Sequence, residues 1–99
     1  MNIFDFPKLP SKEELTIILT ENKNVRVEQI ISTGQVSDWF DQDKSEFLVL
    51  LDGNAKLEYE NGKILTLIKG DTLLIDPHQK HRVVYTSSVP PCNWLCIFF

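Results

Sequence analysis

The sequence predicts an all-β domain, a sandwich or a barrel, from three observations. About eight short runs rich in β-branched and aromatic residues follow one another at even spacing along the chain. Gly residues, including the pairs Asp52-Gly53 and Asn61-Gly62, separate several of these runs. No long segment repeats its apolar residues at helical spacing, which argues against a parallel α/β fold.

The size and charge of the chain limit what the protein can be. Its 99 residues suit one domain, so we predict a single domain over residues 1–99. Hydrophobic residues make up 42% of the chain, enough for a packed core without disulfides or a structural metal. The net charge is −4 and the basic residues are scattered, so we expect no nucleic-acid partner.

Residues 1–12 are predicted to form an irregular N-terminal arm, because Pro7 and Pro10 interrupt it. One helical turn is predicted to begin at Ser11, ahead of Glu13 and Glu14. The first residues lack the charge and apolar order of a signal peptide, and no apolar run has membrane-spanning length. We therefore expect a cytoplasmic protein that does not bind membranes.

The first three strands are predicted at 15–20, 25–32 and 46–51. The first two are rich in β-branched residues and flank a polar stretch with the composition of a hairpin loop. Residues 26, 28 and 30 alternate with apolar neighbours at 25 and 27, which indicates one wet face. The third run has five apolar residues after Glu46, which is typical of a strand covered on both faces.

The remaining strands complete the predicted sheet. Residues 55–60 alternate apolar and charged, Asn61-Gly62 follows, and 63–68 returns as the second strand of a hairpin. Strands at 72–76 and 81–86 flank a loop that contains Pro77, and a last run at 93–99 is apolar on both faces. Because two runs are apolar on both faces, we expect a homodimer.

Cys92 and Cys96 are the two cysteines of the chain. Four residues apart on an extended strand, they point to one side but lie too far apart to bridge easily. Buried reduced thiols are the favoured interpretation. Zinc ligation by this pair is an alternative without partners at the usual spacing.

Two groups of residues resemble the motifs of the cupin family. The first motif, G-x5-H-x-H-x3-E-x6-G, corresponds to residues 34–53, which place Gly34, Phe40, Gln42, Glu46 and Gly53 at its fixed positions. The second, G-x5-P-x-G-x2-H-x3-N, corresponds to residues 70–85, which place there Gly70, Asp76, His78, His81 and Tyr85. The chain is similar to short bacterial single-domain cupins, and this resemblance implies a double-stranded β-helix, also called a jelly-roll barrel.

The resemblance also implies a place for a metal. Cupins generally hold a divalent transition metal, here Fe, Ni, Zn or Mn, at the barrel centre through three His and one Glu. Carried over by position, Glu46 and His81 would be ligands, while Phe40 and Gln42 replace two of the His. Gln42 could add a weak oxygen ligand, and His78 would join only if the loop after Pro77 turns inward. Metal binding would then be weaker than in a four-ligand cupin.

Strand geometry supports the same convergence without the family. Residues 40, 42 and 46 share one parity, so on an extended chain their side chains project to one face, where His81 could meet them. A carboxylate that precedes five apolar residues should be partly buried and needs a partner or a metal. The alternative to a metal is a hydrogen-bonded Glu46–His81 pair, joined by Arg82 or Tyr85.

Three functions of different class stay open from the sequence. The first is a barrel that binds a small molecule, with Phe40, Gln42 and Tyr85 lining the pocket, or that holds a divalent metal loosely. The second is a metal-dependent oxygenase or isomerase that acts on a small acid or sugar. The third is a structural module for dimerisation. Nucleophilic catalysis has little support, because no Ser or Cys lies in a strand-turn-helix elbow.

Overall fold

The computed structural model describes residues 1–7 and 11–99, and it confirms the all-β prediction. The eight strands are β1 (Leu15–Glu21), β2 (Arg26–Ser32), β3 (Glu46–Asp52), β4 (Asn54–Tyr59), β5 (Ile64–Ile68), β6 (Thr72–Ile75), β7 (His81–Thr86) and β8 (Cys92–Phe98). Residues 8–10 of the predicted arm lie outside the described residues. Residues 11–14 form a bend, so the helical turn predicted at Ser11 is wrong.

Two antiparallel sheets build the double-stranded β-helix. One has five strands in the order β1-β2-β8-β3-β6, and the other has three in the order β5-β4-β7. Every strand pair within them is antiparallel. Their inner faces enclose one core, to which the five-stranded sheet contributes Leu48, Leu50, Trp94 and Phe98, and the three-stranded sheet Ala55, Leu57 and Leu67.

Burial alternates along the central strands and defines the inner face. In β3, Glu46 and Leu48 are buried, whereas Phe47 and Val49 are only half-buried. The outer face of β3 is therefore partly covered, less than the apolar run predicts. In β8 the residues at even positions face the core, and buried Asn93 lies on the outer face.

The first residues of the chain cover the outer face of the five-stranded sheet. The side-chain amides of Gln29 and Asn93 both donate to the backbone oxygen of Ile3, and Gln29 also donates to Asn93 Oδ1 at 3.0 Å. Both amides are completely buried. Buried amides need such partners, so this polar patch fixes the N-terminal segment to β2 and β8.

The turn between β3 and β4 depends on Gly53. Its φ is +87°, and a Cβ there would lie 2.8 Å from both the Cα of Cys92 and the backbone oxygen of Pro91. Any side chain would therefore clash with backbone as well as strain the turn. This close approach holds the β3–β4 connection against the start of β8.

Among the described residues, we find no helix with the length and apolar character needed to cross a membrane.

Candidate functional site

A cavity of about 280 Å³ lies between the two sheets. Its walls come from the inward-facing residues of β1, β2, β3 and β8 on one side and of β4 and β7 on the other, with residues 37–42 at its rim. Phe40, Gln42, Glu46 and His81 all line it. The structure thus brings together the four positions that the sequence predicts to meet, although a bend at residues 43 and 44 separates Gln42 from β3.

Glu46 and His81 face each other inside this cavity. His81 Nε2 lies 3.9 Å from Glu46 Oε1, and the two side chains are 5% and 9% exposed, respectively. This distance is too long for a hydrogen bond. Gln42 Nε2 instead donates to Glu46 Oε1 at 3.0 Å. The Glu46–His81 pair is therefore close and buried but not directly bonded.

The protonation of the His81 ring follows from its backbone partner. His81 Nδ1 lies 2.9 Å from the carbonyl oxygen of Gln79. A carbonyl oxygen can only accept, so Nδ1 carries the hydrogen. The other ring nitrogen, Nε2, lies on the side of Glu46 and the cavity. This atom is available as an acceptor or as a base.

Phe40 covers the imidazole at the rim of the cavity. Its backbone N–H donates to the His81 carbonyl at 2.7 Å, and the His81 N–H donates back to the Phe40 carbonyl at 3.2 Å. The two ring centroids are 5.4 Å apart. At a position where cupins carry a ligand His, the chain therefore presents an aromatic ring packed over His81.

Sequence reasoning missed the charged residues that β1 and β2 bring to the cavity. Glu14, Arg26 and Glu28 all line it. Arg26 forms an ion pair with Glu28, and its guanidinium lies 4.6 Å from the centroid of the Phe98 ring. The alternation at 26 and 28 predicts a wet face, whereas the structure turns this face towards the cavity between the two sheets.

Two titratable groups at the cavity, Cys96 and Glu14, have pKa values above their ordinary values. Burial raises the pKa of the Cys96 thiol well above its ordinary value, and the negative charge of Glu46 raises it further, as do Glu28 and Glu14. Burial also raises the pKa of the Glu14 carboxyl, which a hydrogen bond with Ser32 opposes. Cys96 therefore faces the cavity as a neutral thiol.

The prediction that Tyr85 lines the pocket is wrong. Its side chain is 45% exposed and lies on the outer face of the three-stranded sheet. The cause is a register shift: Leu57 pairs with Val83, but Lys56 pairs with Tyr85, so Val84 is an extra residue in β7. Such a bulge reverses which residues point inward. Val83 therefore lines the cavity, whereas Tyr85 faces away from it.

His78 and Arg82 also lie away from the cavity. His78 has a φ of +61°, in keeping with the Gly that cupins have at this position, and its exposed ring binds Asp41 at 2.8 Å. It therefore lies outside the cavity that Glu46 and His81 line. Arg82 Nε donates to Glu58 at 2.7 Å and its guanidinium covers Trp39, so it does not join Glu46 and His81.

The donor set does not fit the four-ligand metal centre of the family. Across residues 1–7 and 11–99, no group of three or more His, Cys, Asp and Glu is arranged to hold a metal ion. Glu46 and His81 supply two donors, the Gln42 amide is bonded to Glu46, and Phe40 has none. The cavity keeps the geometry of the family site with half of its ligands.

Comparisons with known proteins agree with this fold. The model of the Cupin domain family matches residues 27–98, and no curated protein matches the chain. A Ralstonia eutropha protein provisionally described as a mannose-6-phosphate isomerase shares 32% identity at a TM-score of 0.92, over 99% of this chain and 94% of its own.

Two more distant structures show the same fold. A conserved protein with a double-stranded beta-helix domain from Klebsiella pneumoniae shares 17% identity at a TM-score of 0.81, over 99% of this chain and 86% of that one. A cupin superfamily protein from Desulfitobacterium hafniense shares 15% identity at a TM-score of 0.79, over 92% and 81%. With most of its length matched by the family model, the chain belongs to the Cupin domain family.

Proposed function

We propose that the protein binds a small polar molecule in the barrel cavity, with Glu46 and His81 as its polar contacts. The observation that carries the proposal is the gap of 3.9 Å between His81 Nε2 and Glu46 Oε1, both on side chains more than nine-tenths buried. Glu46 Oε1 accepts from Gln42 but can accept a second hydrogen bond, and His81 Nε2 faces it across this gap. A ligand group placed between them can donate to Nε2 and to the carboxylate at once.

The make-up of the walls supports a ligand site over a filled core. Binding pockets are mostly apolar with a few convergent polar groups. Here Leu48, Leu57 and Trp94 supply apolar surface. Gln42 and His81 converge on Glu46. A hydrogen-bonded core pair would instead place its atoms about 2.7–3.2 Å apart.

A weakly held divalent metal is the alternative occupant, with Fe, Ni, Zn or Mn as candidates. Glu46 and His81 would be its protein ligands. The His81 Nδ1–H bond to a backbone carbonyl is the support that metal-binding His residues commonly have. With two of the family's four ligands, we expect affinity to be lower by about 100-fold or more.

A metal-dependent enzyme acting on a small acid or sugar is the second candidate function. The observation that favours it is the 32% identity with the Ralstonia eutropha protein, whose description names mannose 6-phosphate as substrate. The assay follows the interconversion of mannose 6-phosphate and fructose 6-phosphate with each metal added. Turnover that Glu46→Gln abolishes supports this candidate, and an absence of turnover leaves the binding function.

The binding proposal is tested by a thermal-shift screen of small amines, sugars, sugar phosphates and carboxylic acids, followed by calorimetry of the compounds that stabilise the protein. We expect at least one to bind the native protein and to lose about tenfold or more in affinity in Glu46→Gln and His81→Ala. His78→Ala is the matched control, because its ring is exposed outside the cavity. Binding that survives in Glu46→Gln and His81→Ala would contradict the proposal.

Elemental analysis of the same variants distinguishes a bound divalent metal from a bound small molecule. Each protein is incubated with one metal and then dialysed. Metal that stays on the native protein and on His78→Ala, but not on His81→Ala, supports the metal site. Binding of an organic compound to the metal-free protein supports the small-molecule site.

We also propose that the protein is a homodimer in the cytosol. Ile64, Ile68 and Tyr85 are exposed on the outer face of the three-stranded sheet, which supports an apolar contact between two copies. The free thiols of Cys92 and Cys96 suit a reducing compartment. Analytical ultracentrifugation at micromolar concentration tests the dimer, which a single monomer boundary would contradict.

A further inference from the structure

The charges around the cavity bear on the class of ligand, and this argument rests on the proposed function. Glu14, Glu28 and Glu46 line the cavity, and Arg26 is the only Lys or Arg among its described lining residues. Three carboxylates against one guanidinium give the lining an excess of negative charge. A concave site with one sign of charge attracts ligands of the opposite sign.

The positive charge of Arg26 is already engaged. Its guanidinium pairs with Glu28 and covers one face of the Phe98 ring at 4.6 Å. An anionic ligand that approaches this guanidinium would also meet the carboxylate of Glu28 beside it. The carboxylates left for a ligand are Glu46, deep in the cavity, and Glu14, at its edge.

The three carboxylates surround one volume. Glu14, Glu28 and Glu46 line it together with the buried thiol of Cys96. The Glu46 and Glu28 side chains are 9% and 12% exposed, so water and salt screen them less than surface charges.

Aromatic rings supply the second feature that a cation needs. Phe40, Trp94 and Phe98 line the same cavity, and the faces of such rings attract cations within about 6 Å. The contact between Arg26 and Phe98 shows that one of these rings already receives a cation. Carboxylates and aromatic faces together are the surroundings in which ammonium groups are recognised.

We infer that the cavity binds a small organic cation, an amine or alkylammonium compound, and excludes phosphorylated and carboxylated compounds. The ammonium lies between Glu46 and His81, where a primary amine donates one hydrogen to the carboxylate and another to Nε2. The cavity of about 280 Å³ has the volume of about nine liquid water molecules. The ligand therefore has roughly ten non-hydrogen atoms.

The test is an NMR titration with probes that have matched shape and different charge. Butylamine is compared with butanol, butyrate and butyl phosphate, and choline is compared with its neutral isostere 3,3-dimethylbutanol. We expect each cation to bind about tenfold or more tightly than its neutral match, and we expect no saturable binding of the two anions. Raising the salt concentration should weaken the binding of the cations.

Charge-neutral variants assign the effect to the cavity. Glu46→Gln should weaken the binding of butylamine by about tenfold or more, whereas Glu21→Gln, an exposed change at the end of β1, should leave it within about twofold. Anions that bind as tightly as the amines, in a way that depends on Glu46 and His81, would overturn the inference and leave the proposed function standing. The failure of every probe to bind would overturn both.

Discussion

The side-chain amide of Gln42 donates a hydrogen bond to Glu46 Oε1 at 3.0 Å. The same oxygen lies 3.9 Å from Nε2 of His81. Gln42 therefore fixes the orientation of the carboxylate, and Glu46 in turn faces the imidazole without a direct bond. Gln42, which occupies the position of a ligand His in the cupin motif, acts in this chain as a partner of Glu46.

Replacing Gln42 with Glu should destabilise the fold. The change removes the donor and places a second carboxylate beside Glu46, so we expect a loss of about 1–3 kcal/mol in the free energy of unfolding at pH 7. The loss should shrink near pH 4, where one carboxyl of the pair binds a proton. Urea unfolding at the two pH values measures it. Asn61→Asp, the same chemical change in an exposed turn, is the control. Equal losses of stability in the two variants would contradict a specific contribution of the Gln42–Glu46 hydrogen bond.

Restoring the two missing His should create a metal site. Phe40, Gln42, Glu46 and His81 line one cavity, so Phe40→His/Gln42→His should bind Zn or Ni about 100-fold or more tightly than the native protein. Calorimetry and elemental analysis after dialysis give the affinity and the stoichiometry. The same double substitution combined with His81→Ala should lose the gain. A double variant with native affinity would show that these positions do not converge as described.

His78 should be dispensable for the cavity. A φ of +61° destabilises a non-glycine residue by roughly 1 kcal/mol. The exposed contact of His78 with Asp41 stabilises the fold by a similar or smaller amount. We therefore expect His78→Gly to change the free energy of unfolding by less than about 1 kcal/mol and ligand affinity by less than about twofold. A large loss of affinity in this variant would place His78 in the site.

Alkaline pH should weaken the fold in part through Cys96. Its pKa in the folded state lies well above the ordinary value of 9.0, so the native state keeps a proton that the unfolded chain releases. The stability from this group is present below pH 9 and is lost as the pH rises towards the raised pKa, by up to about 1.4 kcal/mol per pH unit.

Cys92 and Tyr59, whose pKa values are also raised by burial, add to the same trend. Cys96→Ala should therefore reduce the pH dependence of unfolding between about pH 9 and 11 without removing it. The native and variant proteins are compared by denaturant unfolding at each pH. If the free energy of unfolding fell equally steeply with pH in the native protein and in Cys96→Ala, Cys96 would not contribute to the pH dependence.

The eight strands and part of the cavity lining could be predicted from the sequence, because both follow from the alternation of residues along short segments. Phe40 and Gln42 share one parity on an extended segment. A bend at residues 43 and 44 separates them from Glu46, so the structure was needed to show that all three line one cavity. Tyr85 was misplaced because the extra residue Val84 in β7 leaves no mark in the composition of the strand. Arg26 and Glu28 were missed because the fate of a polar strand face depends on what packs opposite it, which is a property of the tertiary structure.

Because the chain has two His residues, NMR of their rings can test directly whether a ligand binds between Glu46 and His81. In protein labelled with 15N-histidine, one set of ring signals comes from His81 in the cavity, and the other comes from exposed His78. Without ligand, the His81 signals should show a hydrogen on Nδ1, which is donated to the Gln79 carbonyl oxygen. Saturation with a bound probe such as butylamine should then move the His81 Nε2 signal and leave both His78 signals in place. An unchanged His81 signal at saturation, or a change confined to His78, would contradict binding between Glu46 and His81.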